Sequence, residues 1–286
     1  MAAYKFNTLS ECILSSDTMN IRPLVSIHLT TFNRGSLLPR AIKSVLKQTF
    51  TDWELIIVND GSTDSTRRIL SRYTRNRRIK VFTHPNNLGN AAARNTALNH
   101  SRGEYVAFLD DDDEWIDTDK LTKQFTIFNT TEDPRLGIVC SSVCLAIGKD
   151  VIPRIISPPN NLVSFILSGN GLIYSPTVMT TGKLMRLAGG FDSKLKRGVD
   201  SEYYRCCIVK HGAKVHFMKD ITTKVYVHSG SRLTPYDNPL ALKNNLSANL
   251  YIIRRYWPQY LTHPASFITR LWSVFLILAN LLKVSL

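Results

Sequence analysis

Residues 105–115 read YVAFLDDDDEW, so a mostly apolar run ends abruptly in Asp110, Asp111, Asp112 and Asp113. Four adjacent carboxylates repel one another and raise one another's pKa, and a cation relieves them. A divalent metal is the natural candidate. Side chains alternate along an extended segment, so Asp110 and Asp112 share one side and Asp111 and Asp113 the other, and a D-x-D pair can face a ligand together. An EF-hand calcium loop is excluded, because the sixth position counted from Asp110 is Trp115, where that loop requires glycine. The competing reading is a solvated acidic turn that caps the next helix. The buried-type strand in front of the acids argues against it.

Such acids need elements that bring them to a rim. LVSIHLTTFNR (24–34) reads as a buried strand ending in a polar turn, SLLPRAIKSVLKQ (36–48) as a helix with its proline in the first turn, and WELIIVND (53–60) as a second continuous apolar strand. The pattern repeats with a helix over 62–73, a strand over 79–84, a helix over 90–100 and a strand over 105–109. Strands without polar alternation predict a parallel sheet with helices on both faces. In such a sheet ligands bind outside the carboxyl ends of the strands. Thr31, Phe32 and Asn33, then Asn59, Asp60 and Gly61, then the acidic run are therefore expected around one crevice. From about 137 to 228 the signals are mixed α+β: short strands at 137–143, 213–218 and 222–228, a proline-rich loop around 152–161, and helices near 181–188 and 200–211.

The 286 residues, 44% of them hydrophobic, suffice for one large α/β domain with an appendage. Lys and Arg number 36 against 22 acids, a formal charge of +14, which predicts an anionic partner. The basic run Arg67, Arg68, Arg72, Arg75, Arg77, Arg78 and Lys80 lacks interleaved aromatics and any nucleic-acid motif, and reads as a solvated helix face and turn. Cys12, Cys140, Cys144, Cys206 and Cys207 form no CxxC pair and read as small core residues of a reducing cytoplasm. Residues 1–22 read as a loose leader without the features of a signal peptide. The last 45 or so residues change character. SFITRLWSVFLILANLLKVSL (266–286) is mostly apolar, but its densest stretch, 271–282, is shorter than the ~20 residues that span a bilayer. A helix covering the core, a helix lying on an anionic membrane surface and a short tilted span that includes the flanks are all open, the second with Arg254, Arg255, Arg270 and Lys283 toward lipid headgroups.

VSIHLTTFNR, ELIIVNDGSTDST, NLGNAAARNTAL, GEYVAFLDDDDEW and GGFDSKLKRGVDSEYYR occur in an order and spacing that resembles family 2 glycosyltransferases, over about residues 24–230. The resemblance implies a GT-A (Rossmann-like) fold, a mostly parallel central sheet with helices on both faces, followed here by a C-terminal helical segment. It divides the chain into a leader (1–22), a nucleotide-sugar-binding half (23–135), an acceptor-binding half (136–235) and C-terminal helices (236–286). The implied activity is inverting transfer of a hexosyl or N-acetylhexosaminyl group from a nucleotide-sugar, most often a UDP-sugar, with manganese or magnesium holding the diphosphate. By the same resemblance Thr31, Phe32 and Asn33 lie along the nucleoside, Asp60 reads the base edge, Arg94 stands beside the nucleotide, and Asp110 contacts ribose or metal. Asp111 belongs to the same donor segment but points away from the pair, and Asp112 is the metal ligand. Asp200 takes the acceptor's proton, with Glu202 as the alternative base, and His228 reaches the metal or diphosphate, with Ser231 assisting. The chain departs from the family pattern at Thr30, Asn59, Ala97, Asp111 and Val199, the last removing a usual acid beside Asp200.

The basic surface and apolar tail point to a cytoplasmic enzyme on the inner face of a bacterial membrane, with a saccharide or lipid-linked acceptor for O-antigen-like or capsular polymers. Two rival classes are a non-catalytic nucleotide- or membrane-binding module derived from such an enzyme, and a nucleotidyltransferase. The first would be expected to lose the carboxylates, and the second to have a glycine-rich phosphate loop where TTFNRGS has one glycine.

Overall fold

The computed structural model describes residues 22–227 and 238–285. The expected leader (apart from Arg22), Cys12, His228 and Ser231 lie outside the described residues. In chain order the elements are β1 Val25–Thr31, α1 Leu38–Leu46, β2 Trp53–Asn59, α2 Thr66–Leu70, β3 Ile79–Thr83, α3 Asn90–Asn99, β4 Tyr105–Asp110, β5 Glu114–Trp115, α4 Lys120–Thr130, β6 Leu136–Ile147, β7 Asp150–Arg154, α5 Leu162–Leu167, β8 Met179–Thr181, α6 Gly182–Leu187, α7 Val199–Arg205, β9 Lys214–Val227, α8 Pro239–Arg255, α9 Trp257–Thr262 and α10 Pro264–Ser285.

One sheet runs β3-β2-β1-β4-β8-β6-β9-β5, with β7 added to β6. Its first four strands are parallel, in a register that aligns Thr30 with Asp110, Thr31 with Asn59, and Asn59 with Thr83. The three polar strand ends thus meet along one rim, as the carboxyl-end rule requires. Continuous apolarity in β2 and β4 follows from burial on both faces. Leu55, Ile57, Ala107 and Leu109 pack with Leu38, Ala41, Ile42 and Val45 of α1, whereas Ile56 and Val58 pack with Ala93 and Ala97 of α3. Burial of each such Leu, Ile or Val stabilises the domain by roughly 1.5–3 kcal/mol, which fixes the rim that carries the polar residues.

The second half is mixed, as its sequence suggested. β8 runs antiparallel to β4 and β6, and β6 pairs parallel with β9. The two short strands read at 213–218 and 222–228 are one strand, β9, with register shifts opposite Cys140 to Val143 that interrupt its apolar pattern. The segment read as a proline-rich loop begins as β7, an edge strand in which Pro153 is tolerated. The four described cysteines are buried and unpaired, as their spacing implied.

The C-terminal helices correct two expectations. α10 has 22 residues, roughly 33 Å at 1.5 Å per residue, and is long and apolar enough to cross a membrane by length and composition. The dense stretch at 271–282 is only its middle. One face docks on the domain through Ser266, Arg270, Val274 and Ile277, while Ile268, Trp272, Phe275 and Leu282 stand exposed. The second correction concerns the basic residues assigned to headgroups. Arg270 is buried and donates through Nε and Nη2 to Leu167 O (3.1 and 2.9 Å) and through Nη1 to Asn249 Oδ1 (2.9 Å). Arg255 pairs with Asp192 and Glu202. A guanidinium satisfies several carbonyls at once, so these two arginines tie helices together instead of facing solvent. Arg254 and Lys283 remain exposed.

Candidate active site

The acidic run leaves β4 through a turn closed by the Asp113 amide on the Asp110 carbonyl at 3.2 Å, so it is not the extended segment expected, although its burial still alternates. Asp111 and Asp113 are buried, whereas Asp110 and Asp112 keep part of their surface on the accessible side. Cations and amides hold each acid. Arg34 Nη1 reaches Asp111 Oδ1 at 3.0 Å and Asp112 Oδ2 at 2.6 Å. Arg40 donates to the Asp112 carbonyl and lies 3.6 Å over the Tyr226 ring, and the Tyr226 amide donates to Asp113 Oδ1 at 3.0 Å. Burial pushes the Asp113 carboxyl up to about 9, with Asp110 and Asp112 adding to it and the Tyr226 amide and Arg40 opposing. Burial likewise raises Asp110 to about 7, against Arg94, with Asp200, Asp112 and Asp111 assisting the rise. Among the described residues Arg34, Arg40 and Arg94 are the cations that oppose this crowding.

Arg94 projects from α3 into the centre of this arrangement and is 3% exposed. Its Nη2 donates to Asp110 Oδ1 at 2.9 Å and to Asp200 Oδ2 at 3.3 Å, and its Nε lies 3.1 Å from Asp200 Oδ1. One guanidinium therefore joins the first acid of the D-x-D to the N-terminal turn of α7. Asp200 itself is about a third exposed, so an acceptor hydroxyl can reach it. Gly198 enters α7 at φ 69°, a left-handed conformation that glycine adopts without strain.

Glu202 has a different environment. It is 2% exposed, accepts from Arg205 Nη1 at 2.7 Å and from the Tyr256 hydroxyl at 2.8 Å, and lies 2.9 Å from Arg255 Nε. It anchors α7 to α8.

The strand-end residues divide into two groups. Thr31 is buried next to Asp111, and Phe32 is 42% exposed at the rim, available to a planar ligand. Asn33 has φ 52°, the one non-glycine positive φ among the described residues, and its Oδ1 accepts from the Thr63 amide at 2.8 Å. Asparagine tolerates this conformation better than most residues, and here it ties the end of β1 to the loop after β2. Asp60, expected along a base edge, is buried. It takes the Leu88 and Gly89 amides at 2.9 and 2.8 Å and His84 Nδ1 at 2.7 Å. In this arrangement Asp60 positions the loop that leads into α3, and Asn59 Nδ2 is buried without a hydrogen-bond partner among the described residues. Gly61 permits that loop's approach, since a Cβ there would meet the Asn86 carbonyl carbon at 2.3 Å.

Sequence reasoning missed Arg34, Arg40 and Tyr226. A basic residue just past a strand end that faces an acid run was the available signal for Arg34. Nothing local marks Tyr226, which depends on β9 folding back beside β5.

Asp110 and Asp112 fit a manganese- or magnesium-type ion. Their hard oxygen donors lie on the accessible side, and such ions take one or two protein carboxylates and complete their shell with substrate phosphates and water. Among the described residues no group of three His, Cys, Asp or Glu side chains forms a ready-made cage.

Residues 26–149 match the sequence profile of Glycosyl transferase family 2. The putative teichuronic acid biosynthesis glycosyltransferase TuaG of Bacillus subtilis is 47% identical over 106 residues, covering 37% of this chain and 42% of that protein. The Escherichia coli enzyme named UDP-Glc:alpha-D-GlcNAc-diphosphoundecaprenol beta-1,3-glucosyltransferase WfgD is 42% identical over 104 residues, 36% of this chain and 40% of that protein. The matched region thus spans less than half the length of these relatives. Among solved structures, Staphylococcus aureus TarS 1–349 in complex with UDP-GlcNAc superposes with a TM-score of 0.62 at 19% identity, covering 80% of this chain and 66% of that one. The Pyrobaculum calidifontis mannosyltransferase PcManGT in complex with GDP-Man and Mn2+ also gives 0.62, at 18% identity, covering 93% and 76%. These likenesses establish the GT-A fold.

Proposed function

From the premise that the chain carries a glycosyl transferase family 2 domain over residues 26–149, we propose that it transfers a sugar from a nucleotide-sugar to a hydroxyl of a saccharide acceptor in the building of a bacterial surface polysaccharide. The observation that carries this reading is the Asp110–Arg94–Asp200 bridge. It places a carboxylate suited to the donor side and one suited to the acceptor side on a single buried cation. UDP is the expected nucleotide, by analogy with the relatives' named donors, and the acceptor is expected on a lipid carrier at the inner membrane face, where the exposed side of α10 would rest.

A divalent ion bound at the D-x-D would neutralise the departing nucleoside diphosphate as a Lewis acid. The protein's own residues do the remainder. Asp112 and Asp110 hold that ion, and Phe32 and Asn33 define the nucleoside side of the crevice. Arg94 keeps α7 against β4, so Asp200 is held beside the donor instead of drifting with its helix. Asp200 accepts the acceptor's proton as its oxygen attacks from the face opposite the leaving group, which inverts the anomeric centre. His228 remains the proposed additional ligand to the metal or diphosphate.

Calorimetric titration with UDP, GDP, dTDP and CDP, each with and without manganese, tests the reading without an acceptor. Metal-dependent binding of one nucleotide supports it and identifies the donor class. Binding of none would remove it.

A further inference from the structure

A cavity of about 480 Å³ lies between α7, α8 and α10, within the size range of small-molecule sites. Gly198 and Ser201, which flank Val199 and Asp200, form part of its wall. A group held there is a few residues from the proposed base.

The wall also contains Arg205 and Arg270, only 4% and 6% exposed. Their charges are unevenly matched. Arg205 shares Glu202 with Arg255, and its Nε is buried without a hydrogen-bond partner among the described residues. Among the described residues Arg270 donates to neutral groups, including the Ile166 and Leu167 carbonyls and Asn249 Oδ1, and has no carboxylate in direct contact. Desolvation, and then the charge of Arg205, weaken its hold on its proton. Burying a cation without an anion is costly, so Arg270, beside an Arg205 that has only a shared carboxylate, calls for an anionic ligand at this cavity. Gly169 makes room for Arg270: at φ +96° it lies in the glycine region, and a Cβ there would meet Arg270 Nη1 at 2.9 Å.

The same cavity opens onto a membrane-type surface. Leu276, 46% exposed, belongs both to its wall and to the apolar outer side of α10, beside Trp272, Phe275 and Leu278. An anion site that continues into an apolar strip fits a molecule with a phosphate head and a hydrocarbon chain.

We propose that this cavity binds the phosphate-bearing head of a lipid-carried acceptor, with its chain along the outer face of α10, an assignment that rests on the glycosyl-transfer reading above. Ser201 and Gly198 then turn the attached sugar toward Asp200. The arginines supply charge-assisted hydrogen bonds to phosphate oxygens, with the planar fork that suits them.

The test uses the full chain with farnesyl diphosphate as probe and UDP plus manganese present to fill the donor site, with inorganic diphosphate and farnesol as separate arms. Expected is binding of farnesyl diphosphate that weakens at least about tenfold in Arg205→Gln and in Asn280→Asp, while UDP affinity stays as in the parent. Asn280→Asp puts a negative charge at the cavity wall without cutting a core contact, so it remains informative if Arg205→Gln folds poorly. Unchanged affinity in Asn280→Asp would overturn the proposal. So would inorganic diphosphate binding as tightly as the lipid, which indicates a free-phosphate site, or farnesol doing so, which indicates the apolar strip alone. Failure of UDP to bind, measured separately, would count against the donor reading and not against this cavity.

Discussion

The two ends of the parallel sheet treat carboxylates in opposite ways. At the amino ends of the strands Glu54, 2% exposed, accepts from the Ser26 hydroxyl at 2.8 Å, the Arg102 amide at 2.8 Å and Lys80 Nζ at 2.7 Å. Burial acts to raise it, yet these donors outweigh burial and hold it below the ordinary glutamate value. At the carboxyl ends Asp110 and Asp113 are raised, because burial and neighbouring acids outweigh Arg94 and the Tyr226 amide. One end is a satisfied network that stabilises the fold. The other crowds carboxyls that hold their protons above the ordinary aspartate range, a crowding that a metal would relieve. Perturbed groups clustered in a cleft mark function more often than stability.

That contrast can be broken by experiment. The largest effect is expected for Asp200→Asn, which should retain nucleotide binding and lower transfer about 10²–10⁴-fold, measured as consumption of labelled nucleotide-sugar with membrane-extracted acceptor. Glu202→Gln should do the reverse, lowering thermal stability while the folded fraction turns over normally. Equal loss of turnover in both variants would return Glu202 to consideration as a base.

Next in size is Glu54→Ala. It removes the acceptor of a buried network and should cost about 2–3 kcal/mol in denaturant unfolding, with nucleotide affinity unchanged. A coupled loss of nucleotide binding would mean that the two ends of the sheet are not independent.

The smallest effect concerns pH. Asp110 and Asp113 have folded pKa values above their unfolded ones, so the folded state binds more protons. Stability is then greatest at low pH and is lost as pH rises toward about 7 and then about 9. Glu54 has the opposite sign, and its contribution is lost as pH falls below the ordinary glutamate range. Unfolding in metal-free buffer should therefore show a maximum in mild acid and a decline of about 1–2 kcal/mol from pH 6 to 9, the size limited by the partial exposure of Asp110. Asp113→Asn, which can still accept from the Tyr226 amide, should flatten the upper part of that decline. A flat profile in the parent protein would contradict the crowding of the acids.

How much of this was legible in the sequence follows from where each interaction is local. The strands and the rim were readable, because burial on both faces writes continuous apolar runs and the polar switch at Thr31, Asn59 and Asp110 sits at each run's end. Alternating burial of Asp110 to Asp113 was expected from extended geometry, but the run is a turn closed by the Asp113 amide on the Asp110 carbonyl, so the pattern has a different cause. Arg270 and Arg255 were misread, since a basic residue in an apolar aromatic helix has the same local pattern whether it faces a headgroup or the carbonyls of α5. Only the docking of α10 and α8 on α5 and α7 distinguishes the two. Asp60 was expected along a base edge, but it is buried and its three donors come from residues 84–89, a loop whose path the sequence does not specify.

The central claim is that the accessible pair Asp110 and Asp112 forms a metal-dependent donor site, and titration of Asp112→Asn with UDP in the presence of manganese tests it most directly. With the fold verified by circular dichroism, the account predicts that the metal-dependent part of the binding disappears. Affinity equal to that of the parent protein, with the same dependence on manganese, would contradict it.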